Sequence, residues 1–127
     1  MSSAIQISES EWKVMCVLWK NGGLSIGEII PRLVDNGWNG NTIRTLVIRL
    51  VEKGAVFAEK HGRNYIYTAA VSERECVMKE TEHFLGRIFD GSPIRLFTAL
   101  AEGGRLTDKD CAEIESLIRE IRERDDK

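Results

Sequence analysis

Residues 39–68 read NGNTIRTLVIRLVEKGAVFAEKHGRNYIYT, and the period of the apolar positions changes once inside this stretch. Ile43, Leu46, Val47, Leu50 and Val51 follow the i, i+3, i+4, i+7, i+8 spacing that gathers side chains on one face of an α-helix. Asn39 offers an N-cap and Gly54 a C-terminal stop, so the spacing predicts a helix over residues 39–53. Its opposite face carries Asn41, Thr42, Arg44, Thr45 and Arg49. After Gly54 the period falls to two. Residues 55–60 and 64–68 are short β-type runs joined by His61-Gly62-Arg63, with Tyr65 and Tyr67 alternating against Ile66. The reading is a helix with one polar face, followed directly by a hairpin with a basic tip.

Working outward, the same start device recurs along the chain. Ser8 with Glu11, Ser25 with Glu28 and Ser72 with Glu75 fit the capping box, and Thr107 with Asp110 is a looser version. An apolar residue precedes each cap and a packable one follows inside the helix, as Ile7 and Trp12 or Leu24 and Ile29 do. Helix starts are therefore expected near residues 8, 25, 39, 72 and 107. The first helix, residues 8–20, is read with Trp12, Met15, Cys16 and Trp19 on its inward stripe, and Asn21-Gly22-Gly23 stops it. The second turns Ile26, Ile29, Ile30 and Leu33 inward. Pro31 removes a backbone donor there, so this helix either bends at its first turn or starts later. Beyond Val71 the pattern is helical throughout: residues 72–89, a short helix opened by Ser92-Pro93, and residues 107–124.

Three helices and a hairpin, in that order, are the order of a winged helix-turn-helix, in which the third helix enters the major groove of DNA. The fold class expected is mainly α with a small β-hairpin: a winged-helix DNA-binding domain over residues 1–71 and a helical dimerisation domain over 72–127. The latter's apolar positions are Phe84, Leu85, Ile88 and Phe89, then Leu96, Phe97 and Leu100, then Ile114, Leu117, Ile118 and Ile121. A lobe this small with three amphipathic helices buries such stripes poorly alone, which asks for a second copy. Amide, hydroxyl and guanidinium groups on the third helix suit base edges and phosphates, so Asn39, Asn41, Thr42, Arg44, Thr45 and Arg49 are the candidate DNA contacts, with Arg63 at the hairpin tip.

Net charge is −2, which argues against a nucleic-acid binder until the chain is divided. Residues 1–71 hold eight Lys or Arg against six acids, and the acidic excess lies entirely beyond them. The three cysteines, Cys16, Cys76 and Cys111, stand far apart and pair with neither His61 nor His83, so no metal or other cofactor is expected, and the thiols read as reduced, small apolar residues. No P-loop or Ser-His-acid order emerges, which excludes the common enzyme classes. The opening MSSAIQISES has neither a basic start nor an apolar run, and no stretch spans a bilayer, so a cytoplasmic protein without membrane insertion is expected.

The sequence resembles the penicillinase and methicillin-resistance repressor family (BlaI/MecI). The residues that carry the resemblance are Ile7-Ser8-Glu9-Ser10-Glu11-Trp12 with Val14-Met15 and Leu18-Trp19, and residues 38–55, above all Thr42-Ile43-Arg44-Thr45 and Lys53-Gly54-Ala55. Gly62-Arg63 with Tyr65-Ile66-Tyr67-Thr68 resembles the family's wing, and His83-Phe84-Leu85 with Phe89-Asp90-Gly91 its first dimerisation helix. The match covers essentially the whole chain. It implies a transcriptional repressor that binds a dyad-symmetric, double-stranded operator as a homodimer and is released by an inducing signal. Thr42 and Arg49 occupy matching family positions. Gly40, Asn41 and Arg44 depart from the proline, lysine and glutamine common there, which leaves the operator sequence open. The resemblance also implies a membrane sensor and protease pathway as a partner, with a cut at an asparagine–phenylalanine bond. Ala99-Leu100 stands at that place, so neither proteolytic release nor β-lactam resistance follows, and the C-x-C pairs of the copper-responsive branch are absent. Two alternatives stay open at this level: a winged-helix protein–protein module, for which Ile48 is the one apolar candidate on the outer face of the third helix, and a DNA-binding regulator that senses thiols or a small effector.

Overall fold

The computed structural model describes residues 5–126 and divides into two compact units, one up to Glu80 and one from Thr81. The first unit opens with α1 (Glu9–Asn21), a single α-turn α2 (Ile26–Ile29) and two 3₁₀ turns (Ile30–Arg32 and Val34–Asn36). It continues through α3 (Gly40–Lys53), β1 (Val56–His61) and β2 (Asn64–Ala69) into α4 (Glu73–Phe89), where the division falls. The order is that of a winged helix.

The start signals are hydrogen-bonded as read. The Glu11 amide donates to Ser8 Oγ at 3.1 Å while the Ser8 amide donates to Glu11 Oε1 at 2.8 Å. At α2 the Ser25 amide and hydroxyl both donate to Glu28 Oε1, at 3.0 and 3.1 Å. That bonding holds the Glu28 carboxyl below its ordinary pKa. Pro31 neither bends α2 nor delays it. The α-turn starts at Ser25 and then tightens into 3₁₀, with the Leu33 amide donating to the Ile30 carbonyl at 3.0 Å. An i→i+3 ladder through Ile30 dispenses with the amide that proline lacks.

The core of this unit is built by α1, the α2 segment with the residues flanking it, α3 and the hairpin base: Val14, Met15, Leu18, Leu24, Ile29, Leu33, Ile43, Leu46, Val47, Leu50, Ala55 and Val56 are buried. For α3 the inward stripe is as expected, with Val51 half-buried at its margin. For α1 it is not. The buried face is Glu11, Val14, Met15 and Leu18; Trp12 and Trp19 are only half-buried, and Cys16 is exposed. The tryptophans meet edge to face along the flank, ring centroids 5.4 Å apart, and Trp19 Nε1 donates to the Val71 carbonyl at 2.9 Å. Cys111 is exposed too and Cys76 half-buried, so the thiols are not core residues.

The hairpin pairs Val56 with Ala69 through to His61 with Asn64. His61 is therefore a strand residue, and the connection is the two-residue loop Gly62-Arg63 rather than a three-residue one. Gly62 sits at φ +64°, the left-handed conformation that a tight hairpin loop demands at its first position. Leu24 exchanges both backbone hydrogen bonds with Tyr67, at 3.0 and 2.8 Å, adding a third short rung to the sheet. This fixes the α1–α2 connection against the hairpin, and Gly23 permits the approach: a Cβ there would stand 2.9 Å from Ile66 Cγ2 and 3.1 Å from Thr68 Oγ1.

The second unit holds the rest of α4, α5 (Pro93–Glu102) and α6 (Asp108–Asp125). Ser92 caps α5 with proline at its first position, and Thr107 with Asp110 forms a full capping box at α6. Among its described residues only Leu85 is a buried hydrophobic. Phe84, Ile88, Phe97, Leu117, Ile118 and Ile121 are exposed, and Phe89, Leu96, Leu100 and Ile114 are half-buried. Three helices are capped and formed, yet their apolar faces remain largely open. Among the described residues no helix is long and apolar enough to cross a membrane, and no three His, Cys, Asp or Glu come together as metal ligands.

Candidate nucleic-acid interface

The outer face of α3 is presented by two devices at its ends. Asn39 Oδ1 accepts from the Thr42 amide at 2.9 Å, so its carbonyl oxygen is engaged as the cap and its NH₂ is the part left for a partner. At the other end Lys53 Nζ donates to Glu11 Oε1 at 2.5 Å and to the Gln6 carbonyl at 2.8 Å. Those bonds tie the C-terminus of α3 to the start of α1. Burial pushes the Glu11 carboxyl up, but the Lys53 and Ser8 hydrogen bonds outweigh it and hold the group below its ordinary pKa.

Between these anchors every candidate contact is exposed: Asn39, Asn41, Thr42, Arg44, Thr45 and Arg49, with Arg63 in the hairpin loop. At about 100° per residue, Arg44 and Arg49 stand roughly 140° apart around the helix axis. Asn41, Thr45, Ile48 and, in the last turn, the exposed Glu52 fall between them, Arg44 marks one edge of the face, and Thr42 lies beside Arg49 at the other. Ile48 is 55% exposed in the middle of this polar strip. Thr45 Oγ1 donates to the Asn41 carbonyl at 2.9 Å, which leaves its methyl and oxygen lone pairs for a partner. An exposed helix face with amide, methyl and hydroxyl groups at its centre and cations at both edges suits a groove of bases walled by phosphates.

The Arg44 edge opens into a cleft of about 450 Å³ lined by Ser25, Ile26, Gly27, Arg44, Arg63, Asn64, Tyr65 and Tyr67. Three elements distant in sequence meet there: the start of α2, the first turns of α3 and the hairpin. The sequence marks Arg44 and Arg63 as contacts and Ser25 as a helix cap, but gives Asn64 and Tyr65 no contact role, because strand alternation shows which residues share a face and not what that face looks onto. Ile48 was the outer-face signal for a protein partner; a thymine methyl is equally apolar and belongs in a major groove.

A family model for penicillinase repressors matches residues 7–120. The chain is similar to the penicillinase repressor of Bacillus licheniformis, 30% identical over 125 residues that cover 98% of each chain. It is also similar to the methicillin resistance regulatory protein MecI of Staphylococcus aureus (strain N315), 27% identical over 114 residues covering 89% of this chain and 93% of that one. Among solved structures, the solution structure of the monomeric form of Bacillus licheniformis BlaI in complex with the blaP half-operator matches at a TM-score of 0.50 with 38% identity, covering 56% of this chain and 88% of that one. With the match running from α1 through most of α6, the chain belongs to the penicillinase repressor family, a family of winged-helix transcriptional repressors.

Proposed function

We propose that the protein represses transcription by binding a dyad-symmetric DNA operator as a homodimer, each protomer laying α3 in the major groove with its hairpin along the backbone. The observation that carries this reading is the exposed outer face of α3, polar except for Ile48 and flanked by Arg44 and Arg49, beside a hairpin loop that presents Arg63. Thr42, Thr45 and Asn41 supply hydrogen-bonding groups to the groove, Ile48 an apolar contact, and Asn39 the free half of its amide. Arg49 and Arg63 meet phosphates. Such contacts release counterions, so affinity falls steeply with salt.

The homodimer is supported by the second unit, whose capped helices leave Phe84, Ile88, Leu117, Ile118 and Ile121 exposed. Two recognition helices on a two-fold axis read half-sites a whole number of helical turns apart. Acting on DNA, such a protein works in the cytoplasm beside the chromosome. Selecting bound fragments from the source genome and sequencing them tests the reading. Enrichment of a dyad-symmetric motif with that spacing is expected; fragments no richer than random DNA, or binding insensitive to salt, would overturn it.

A further inference from the structure

Building on the DNA-binding reading, we infer that Arg44 and Arg63 form a two-arginine clamp for one backbone phosphate of the duplex, so that Arg44 positions the protein on DNA rather than reading a base. Arg44 stands at the margin of the outer face of α3, not at its centre, where Asn41, Thr45 and Ile48 lie. A helix lying in the major groove meets bases along its middle and the sugar–phosphate walls along its edges.

Arg44 also lines the cleft that opens at that edge. One guanidinium nitrogen lies 3.4 Å from Asn41 Oδ1 and 3.9 Å from where a Cβ on Gly40 would be. The guanidinium thus folds back over the first turn of α3, steadied by the Asn41 amide oxygen, in space that glycine leaves open. Arg44 itself lines the cleft that Arg63 lines from the hairpin side.

Two arginines and no acid are among the lining residues of the cleft. The nearest carboxylate of α2, Glu28, is turned onto the Ser25 amide and hydroxyl. Neither arginine forms an ion pair among the described residues. Two like charges facing one open cleft repel until an anion separates them, and the guanidinium fork matches a phosphate's paired oxygens. Tyr65 and Asn64, which carry a hydroxyl and an amide as neutral donors, line the cleft beside Arg63.

Phosphate contacts and base contacts leave different signatures. Fluorescence anisotropy with two labelled duplexes, the operator recovered by genomic selection and a random sequence of equal length, separates them. Arg44→Ala is expected to weaken binding to both by the same factor, on the order of tenfold at low salt, and to reduce the slope of log K against log[salt] by about one per protomer. Arg63→Ala should do the same, and the double variant should lose less than the product of the two, since one phosphate is held twice. Asn41→Ala, which frees the Arg44 guanidinium, should weaken random-sequence binding in the same direction by a smaller factor. A loss confined to the operator with an unchanged slope makes Arg44 a base reader and overturns the inference while leaving the repressor reading intact. Unchanged binding to both duplexes, or fully multiplicative losses in the double variant, overturns it as well. A wild-type chain that binds neither duplex removes the repressor reading and this clamp together.

Discussion

Glu11 is the charged side chain that the first unit takes into its core, 2% exposed, with one carboxylate oxygen on Lys53 and the Ser8 amide and the other without a partner. A buried carboxylate is tolerated only while its charge is answered, so removing Lys53 is worse than removing both charges. Lys53→Met is expected to lower unfolding free energy by about 2–3 kcal/mol in urea titrations. Adding Glu11→Gln should recover part of that loss; a double variant no more stable than the single sinks the argument. The pH dependence has a definite sign. A carboxyl whose folded pKa lies below its unfolded value contributes stability that is fully present above the unfolded carboxylate range and is lost as pH falls through the folded value. Acid titrations of stability should therefore show a limb below the ordinary glutamate range that flattens in Lys53→Met. Asn39 acts at the same scale: its side chain satisfies the Thr42 amide, and Asn39→Ala should cost about 1 kcal/mol in thermal unfolding.

Elements are joined by close backbone approach as much as by side chains. The residues between α1 and α2 pair with β2 through Leu24 and Tyr67, and Gly23 is pressed against Ile66 and Thr68. Gly23→Ala should force that rung apart, with a loss of about 1–3 kcal/mol by the same measurement. Faster amide exchange at Leu24 and Tyr67 should accompany it, whereas unchanged protection there would show that the strand gives way freely. Within α1, two stripes of identical spacing compete, Trp12–Met15–Cys16–Trp19 and Glu11–Val14–Met15–Leu18, one residue out of phase. Hydropathy favours the first because the second begins with an acid. The structure buries the second because Lys53 answers that acid and because the tryptophans are wide enough to cover the flank without entering the core. Capping boxes, by contrast, are local in sequence, and the starts of α1, α2, α3, α4 and α6 fall within one residue of their reading.

For the whole molecule, the helices after Thr81 present their apolar faces to solvent, and the proposed second copy is what covers them. Sedimentation at micromolar concentration should give a dimer, and Leu117→Glu with Ile121→Glu should give a monomer whose operator affinity falls by more than tenfold while the winged-helix unit keeps its cooperative unfolding. A wild-type monomer under those conditions would remove the two-fold reading of the operator. Between low and physiological salt, wild-type affinity should drop by about three orders of magnitude if six or more phosphates are engaged by the pair.

What the amino-acid sequence determined was whatever depends on near neighbours: helix starts set by caps, the polar and apolar sides of α3, the hairpin with Arg63 in its loop, and the apolar stripes of the last three helices. These follow from hydrogen bonds and periodicities that span a few residues. Only the tertiary structure decided which side of α1 enters the core, how Pro31 is absorbed in a 3₁₀ turn, and that Arg44, Arg63 and Tyr65 face one cleft. The buried side of α1 and the shared cleft depend on groups far apart in sequence meeting in space, as Glu11 and Lys53 do across 42 positions and Trp19 and Val71 across 52. Such meetings are fixed by packing the whole unit, and no local pattern encodes them.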